Sequence, residues 1–319
     1  MTAIDRSTHQ TLGSMSTNLR PHFRTRLSRL RTTTILVCVM AIAAATGASA
    51  APVPPKPIDP KQDGLGVTLP AGLDADTLVG LVMPMGDPAR VTLVGAKPWP
   101  RRADSYVVIV CAADDSARIS KTPDCGPQTA GPGVTEQTLP VAYVGVVERK
   151  AGGVPTLVAA SGAITLKTDW SRSMLTAPVD AEEAPDSRVL PSQWRQFDLA
   201  PYRISDDEYA FGLRGGWSES FAGGGALFNA LYLFKIETNR LAVVLAEPMY
   251  ANYDIAGGWN KDGTRDHSIE TDENVLAITK RKTDGYYDLR ITQKSDKDVE
   301  KIFQWSKREG KYLETSSKH

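Results

Sequence analysis

The chain has 319 residues, with 37 basic and 37 acidic side chains, four histidines and three cysteines. That balance leaves no excess positive charge for a nucleic-acid partner. Two histidines, His9 and His22, precede the folded region and His319 is terminal, so His267 stands alone and a histidine-cluster metal centre is excluded.

The chain opens on a targeting pattern. Arg20, Arg24, Arg26, Arg29 and Arg31 precede an apolar run from Ile35 to Ala45, and Ala48-Ser49-Ala50 follows. This order of charged, apolar and small residues is that of a secretory signal peptide over residues 1–50, cleaved near Ala50. The apolar run is shorter than the ~20 residues of a membrane span, so no stable span is expected after cleavage. The arginines begin late enough for Met15 to be an alternative start. The expected location is the periplasm or the medium. Residues 1–50 carry six arginines and one aspartate, which leaves the remainder at a net charge near −5 and gives no reason for an anionic membrane surface as partner. Cys111 and Cys125 are the two cysteines left in an exported chain, so they are expected to form a disulfide worth ~3 kcal/mol.

Residues 51–70 hold Pro52, Pro54, Pro55, Pro57, Pro60 and Pro70 and read as an extended linker. Residues 71–170 form a β-rich N-terminal half. Leu78 to Val82 and Val91 to Val94 read as short strands, and Ser105 to Ala112 (SYVVIVCA) as a strand covered on both faces. Val141 to Val147 and Pro155 to Ala160 form a hairpin about Ala151-Gly152-Gly153. Residues 171–191 are polar and aperiodic and read as a connection, with Met174 and Leu175 laid across the core.

Residues 192–319 form a second β-rich half. A strand near Tyr209 to Leu213 enters a glycine-rich loop containing Gly215, Gly216, Gly223, Gly224 and Gly225. Phe228 to Pro248 reads as a hairpin turning at Thr238-Asn239. That turn pairs Ile236 with Leu241, Phe234 with Val243 and Tyr232 with Leu245, and sets Glu237 opposite Arg240. Leu231, Leu233 and Val244 make its other face apolar too, so it is expected to be covered on both sides. Val275 to Thr292 turns at Asp284-Gly285, which pairs Ile278 with Ile291 and Lys280 with Leu289 and sets Arg281 opposite Asp288. Ile302 to Leu313 turns near Glu309-Gly310, with Phe303, Trp305 and Tyr312 on one face.

No stretch beyond Ala50 shows a long 3.6-residue apolar period, so the fold class is mainly β. Antiparallel hairpins forming a β-sandwich or small stacked sheets are expected, with an incomplete propeller-like repeat array as the alternative.

Catalytic motifs are scarce. GWSES at Gly216 to Ser220 lacks the second glycine of a nucleophile elbow. Asp206, Asp207, Glu208, Glu219 and Asp254 are carboxylates that a glycan hydrolase would draw on. Trp217, Tyr250, Tyr253 and Trp259 flank glycine-rich or polar loops and are the expected ligand or partner contacts. Asn260, Asp262, Gly263 and Asp266 spell N-x-D-G-x-x-D, which resembles the calcium loops of FG-GAP-type and dockerin-type repeats. The resemblance implies calcium on Asn260, Asp262, Asp266 and Glu270, although Gly258 stands where those loops place their first aspartate. The expected function is a non-enzymatic binding module for a protein or glycan partner in the envelope. A carboxylate-dependent hydrolase of envelope polymers and a calcium-stabilised β module are the alternatives.

Overall fold

The structure, a computed structural model, describes residues 63–113, 123–129 and 137–318. The expected signal segment and residues 51–62 lie outside the described residues. In chain order the elements are α1 (Ala75–Val82), β1 (Val91–Pro98), β2 (Ser105–Ala112), β3 (Gln128–Thr129), β4 (Gln137–Thr138), β5 (Val141–Glu148), β6 (Thr156–Ala163), β7 (Thr168–Asp169), α2 (Val179–Glu183), β8 (Arg188–Val189), β9 (Gln193–Arg203), β10 (Tyr209–Phe221), β11 (Gly224–Glu237), β12 (Arg240–Trp259), β13 (Arg265–Thr283), β14 (Tyr286–Gln293), β15 (Glu300–Ser306) and β16 (Lys311–Lys318).

Alternation of side chains along the strands sorts the apolar residues into three cores. β1, β2, β5 and β6 are neighbours in one antiparallel ladder. Val107, Ile109 and Cys111 of β2 point into the first core, and Val108, Val110 and Ala112 point into another, against Leu78, Val79 and Val82 of α1. β9 to β12 form the central layer. Its Phe228, Ala230, Tyr232 and Phe234 complete the first core, while Leu231, Leu233 and Val244 face a second core with Leu289, Phe303, Trp305 and Tyr312 of β14 to β16. The mainly β, sandwich-like expectation is met, with a helix on one outer face. The β11–β12 hairpin is covered on both sides because its sheet is the middle layer.

The Leu78 to Val82 segment is helical, contrary to the strand expected there. Asp74 caps it by accepting from the Thr77 N–H at 2.9 Å, and the buried Leu78, Val79 and Val82 share one helical face. An apolar run this short fits either period; the cap decides. The glycine-rich loop is also corrected. Gly215 and Gly216 lie inside β10, and the chain turns between Phe221 and Gly224. A Cβ on Gly215 would stand 2.3 Å from Pro191 Cγ, and one on Gly216 would stand 2.7 Å from Arg195 Nε. These glycines permit close approach to a strand; they do not make a loop.

Registers follow the turns near the hairpin ends and depart from them farther in. Glu237 pairs with Arg240, Ile236 with Leu241 and Phe234 with Val243, as expected. A β-bulge then sets Leu233 opposite Leu245 and Tyr232 opposite Ala246. Val244 and Leu245 consequently both enter the second core, and Tyr232 gains room to share a 2.8 Å hydrogen bond with the Thr168 hydroxyl. In the β13–β14 hairpin Thr283 pairs with Tyr286, but Ile278 pairs with Leu289 instead of Ile291. Thr279 to Arg281 bulge out opposite Asp288, and Arg281 still reaches the buried Asp288 carboxylate at 3.3 Å. Trp305 and Tyr312 pair directly across the last hairpin.

The disulfide Cys111–Cys125 is present, with a Cα–Cα distance of 5.5 Å. The last part of the proline-rich stretch is bound into the fold. The Asp63 carboxylate accepts from the Val67 and Thr68 N–H groups, Gly64 O accepts from Phe197 N, and Leu65 is buried in the first core. Leu175 and Ala181 of the 171–191 connection are buried there too, so the connection does lie across the core. The described residues fall within one compact unit, and none of their helices is long and apolar enough to cross a membrane.

Candidate functional site

The central layer runs past its neighbours at one end. β9 leaves β10 at Gly216, and β14 leaves β13 at Asn274. Beyond these points 217–221, 224–228, 250–259 and 265–273 form a four-stranded arm. Cross-strand partners share a face, so Phe221, Gly224 and Ile255 lie on one side, and Leu227, Asn252, Asp254 and Ile269 lie on the other. Trp259 is 74% exposed and Ile269 68%; Phe221, Leu227 and Ile255 are exposed as well. Arg265 lies over the Trp259 ring at 5.5 Å. His267 Nδ1 is 2.6 Å from Asp254 Oδ1, and the Asn252 amide donates to Thr271 Oγ1 at 2.8 Å. The outer edge of the arm carries Asp266, Glu270 and Asp272.

The four aromatic side chains expected at a contact surface are divided. Trp259 stands at the arm tip. Tyr253 packs edge-on against Phe228 at 5.6 Å, and burial raises its pKa. Tyr250 lines a groove at the arm base. Trp217 is 1% exposed, meets Trp170 edge-on at 5.4 Å and donates its indole N–H to Leu190 O, so it is a core residue.

The side chains of the N-x-D-G-x-x-D loop are engaged with one another. Asp262 Oδ1 accepts from the Thr264 N–H and hydroxyl at 2.9 and 2.7 Å, which holds its pKa below the usual carboxylate value. Asp266 Oδ1 accepts from the Asn260 amide at 2.8 Å. Glu270 sits farther down β13, opposite Tyr253. Among the described residues no group of three or more His, Cys, Asp or Glu side chains is placed to hold a metal ion.

The five carboxylates singled out for hydrolysis do not converge. Asp206 binds Lys282 at 2.6 Å and the Tyr287 hydroxyl at 2.7 Å, and Glu208 pairs with Lys235 at 3.4 Å. Glu219 accepts from Val179 N at the start of α2, and Asp254 pairs with His267. Asp207 lines a separate pocket with Glu208 and Arg101.

A different pair of carboxylates does meet. A cleft of about 620 Å³ between β12 and β15–β16 contains Glu247 and Glu314, which flank the buried Lys301 ammonium at 3.5 and 3.1 Å. Arg172 reaches Glu314 at 2.8 Å, and Arg188 donates twice to Asp169. Burial pushes the Glu247 carboxyl up to about 7, with Glu314 adding repulsion and Lys301 opposing both. Sequence reasoning missed this cluster because Glu247 and Glu314 lie in different hairpins and neither sits in a motif. In the expected register Glu247 shares a face with Leu241, Val243 and Leu245; the β-bulge moves it to the other face, opposite Leu231, so no sequence signal marked its place.

The groove at the arm base has a volume of about 310 Å³ and is lined by Arg195, Arg214, Asn229, Tyr250 and Glu273. Arg195 is the extra residue of a bulge between β9 and β10, which sends its side chain across Gly216 to donate to Ser218 Oγ at 2.8 Å. Compared with known protein families, with characterised proteins and with solved structures, the chain shows no significant match.

Proposed function

We propose that this chain is an exported binding module that engages a protein partner through its four-stranded arm. Export rests on the arginine-rich and apolar segments before Ala48-Ser49-Ala50 and agrees with the disulfide, since such bonds persist in oxidising compartments. The observation that carries the binding reading is the exposed apolar set Phe221, Leu227, Ile255, Trp259 and Ile269 on both faces of one extension. Aromatic and aliphatic side chains on a protruding element gain by being covered, and Trp is enriched at such contacts. Charged residues along the outer edge disfavour strand-to-strand addition, so the partner meets the faces of the arm and not its edge.

The test is recovery of the tagged mature chain from its native envelope, beside the double variant Trp259→Ser/Ile269→Ser. A stoichiometric partner should accompany the wild type and be lost with the variant, at unchanged melting temperature. Retention of the partner by the variant, or recovery of none with either chain, overturns the reading.

A second reading, a carboxylate-dependent hydrolase, is favoured by one observation. Glu247 lies in an open cleft with its carboxyl raised to about 7, where it holds a proton that a general acid would deliver. Turnover of an envelope glycan or peptide by the wild type, abolished by Glu247→Gln, would support it.

A further inference from the structure

One cross-strand row forms the floor of the groove at the arm base. Gly216 pairs with Asn229, Asn229 with Tyr250, and Tyr250 with Glu273, so these four residues cross β10, β11, β12 and β13 in line on one face. Arg195 lies over Gly216 at one end. The row therefore runs from a guanidinium through an amide and a phenol to a carboxylate.

Two features of this row are unusual for a satisfied surface. The half-buried Arg195 guanidinium has only neutral partners among the described residues, the Ser218 hydroxyl and, with the Gln193 amide turned over, its oxygen, and no carboxylate within ion-pair distance. Burial lowers its pKa without a compensating negative charge. Desolvated cations are ordinarily paired. The other feature is Asn229 Oδ1, which is buried and accepts no hydrogen bond. An uncompensated cation and an unused acceptor in one groove ask for a ligand that supplies both an oxyanion and a donor.

The remaining lining residues set the ligand's polarity. Arg214 is committed to Asp198 by two hydrogen bonds to one carboxylate oxygen. Glu273 meets the exposed Lys294 at 2.9 Å, a surface pair that a ligand cation can replace. Adjacent strands lie about 4.8 Å apart, so β10 and β13 are separated by roughly 14 Å, a gap that the long Arg195 and Glu273 side chains can narrow by turning toward a ligand. Three extended residues span about 10 Å.

We propose that this groove binds a short peptide with free ends across the strands, its carboxylate on Arg195 and its ammonium toward Glu273, with a peptide N–H donated to Asn229. The site lies at the base of the arm, uses none of the exposed tip residues and does not depend on the partner proposed for them.

The experiment is calorimetric titration of the full chain with trialanine, trialanine amide, N-acetyltrialanine and acetate. Trialanine should bind; amidation and acetylation should each weaken it at least tenfold, and acetate should bind no better than the amide. Arg195→Met should lose the preference for the free carboxylate while retaining the wild-type melting temperature. The ligand series on the wild type stands alone if that variant does not fold. Equal binding of trialanine and its amide, acetate as good as trialanine, or no binding at all overturns the proposal.

Discussion

Glu247 offers the sharpest physical test of the second core's polar edge. Its carboxyl has a model-compound value of 4.5 and stands at about 7 in the fold, because burial penalises the anion more than Lys301 rewards it. A group that holds its proton more tightly folded than unfolded stabilises the fold while protonated. That stabilisation is fully present below pH 4.5 and is lost as pH rises through about 7. A pKa difference of this size corresponds to about 3 kcal/mol of stability lost across the window. Glu247→Gln keeps the shape and removes the titration. Its stability relative to wild type should therefore rise between pH 4.5 and 7 and level off above, with the variant ahead by up to about 3 kcal/mol at pH 8. Urea denaturation of both chains from pH 4 to 8 reads the difference, and groups common to both cancel. A flat difference profile would refute the reasoning, and a variant that falls behind as pH rises would show that Lys301 outweighs burial.

Three further outcomes are expected. Thr238 turns the β11–β12 hairpin with φ +57°, a region that β-branched residues avoid, so Thr238→Asn should raise stability by about 1 kcal/mol, seen as a higher urea midpoint at unchanged slope. Replacing Cys111 and Cys125 together by Ala should cost about 3 kcal/mol, measured by the same denaturation in the absence of reductant. Leu233→Ala, in the fully buried middle layer, should cost about 2–5 kcal/mol, whereas Leu227→Ala on the exposed arm should stay within about 0.5 kcal/mol; equal effects would contradict the layer assignment.

Local chemistry made much of this fold legible. SYVVIVCA became β2 with its expected bounds, because β-branched residues on both faces specify a doubly covered strand. Asp284-Gly285 turned the hairpin as expected, with Asp284 and Gly285 both at positive φ. The apolar far face of Phe228 to Pro248 was a correct sign of a middle layer. The site was harder to see. Trp217 and Trp259 look alike in sequence, each beside glycines, yet one is core and the other exposed. The difference is set by which stretch of sheet the 171–191 connection covers, and that is a long-range fact. The cluster of Glu247, Lys301 and Glu314 joins residues from three strands, none marked by spacing.

Bulges account for most of what remained hidden. A strand of 20 residues such as β12 must serve β11 along one edge, touch β6 at Arg240, face both cores, and then enter the arm with β13. A strict two-residue period cannot satisfy all of these, since one fixed phase would send Leu245 into the first core against Tyr232. The extra residue at Val244–Leu245 resets the phase and fills the second core with both side chains. The bulge in β9 acts in the same way on a polar residue, bringing Arg195 onto the face where Gly216 leaves space. Hairpin turns thus fix registers for the first few pairs only. Beyond them, the demands of two cores decide where the chain inserts a residue, and in β9 the same device places a half-buried guanidinium that a ligand carboxylate could pair with.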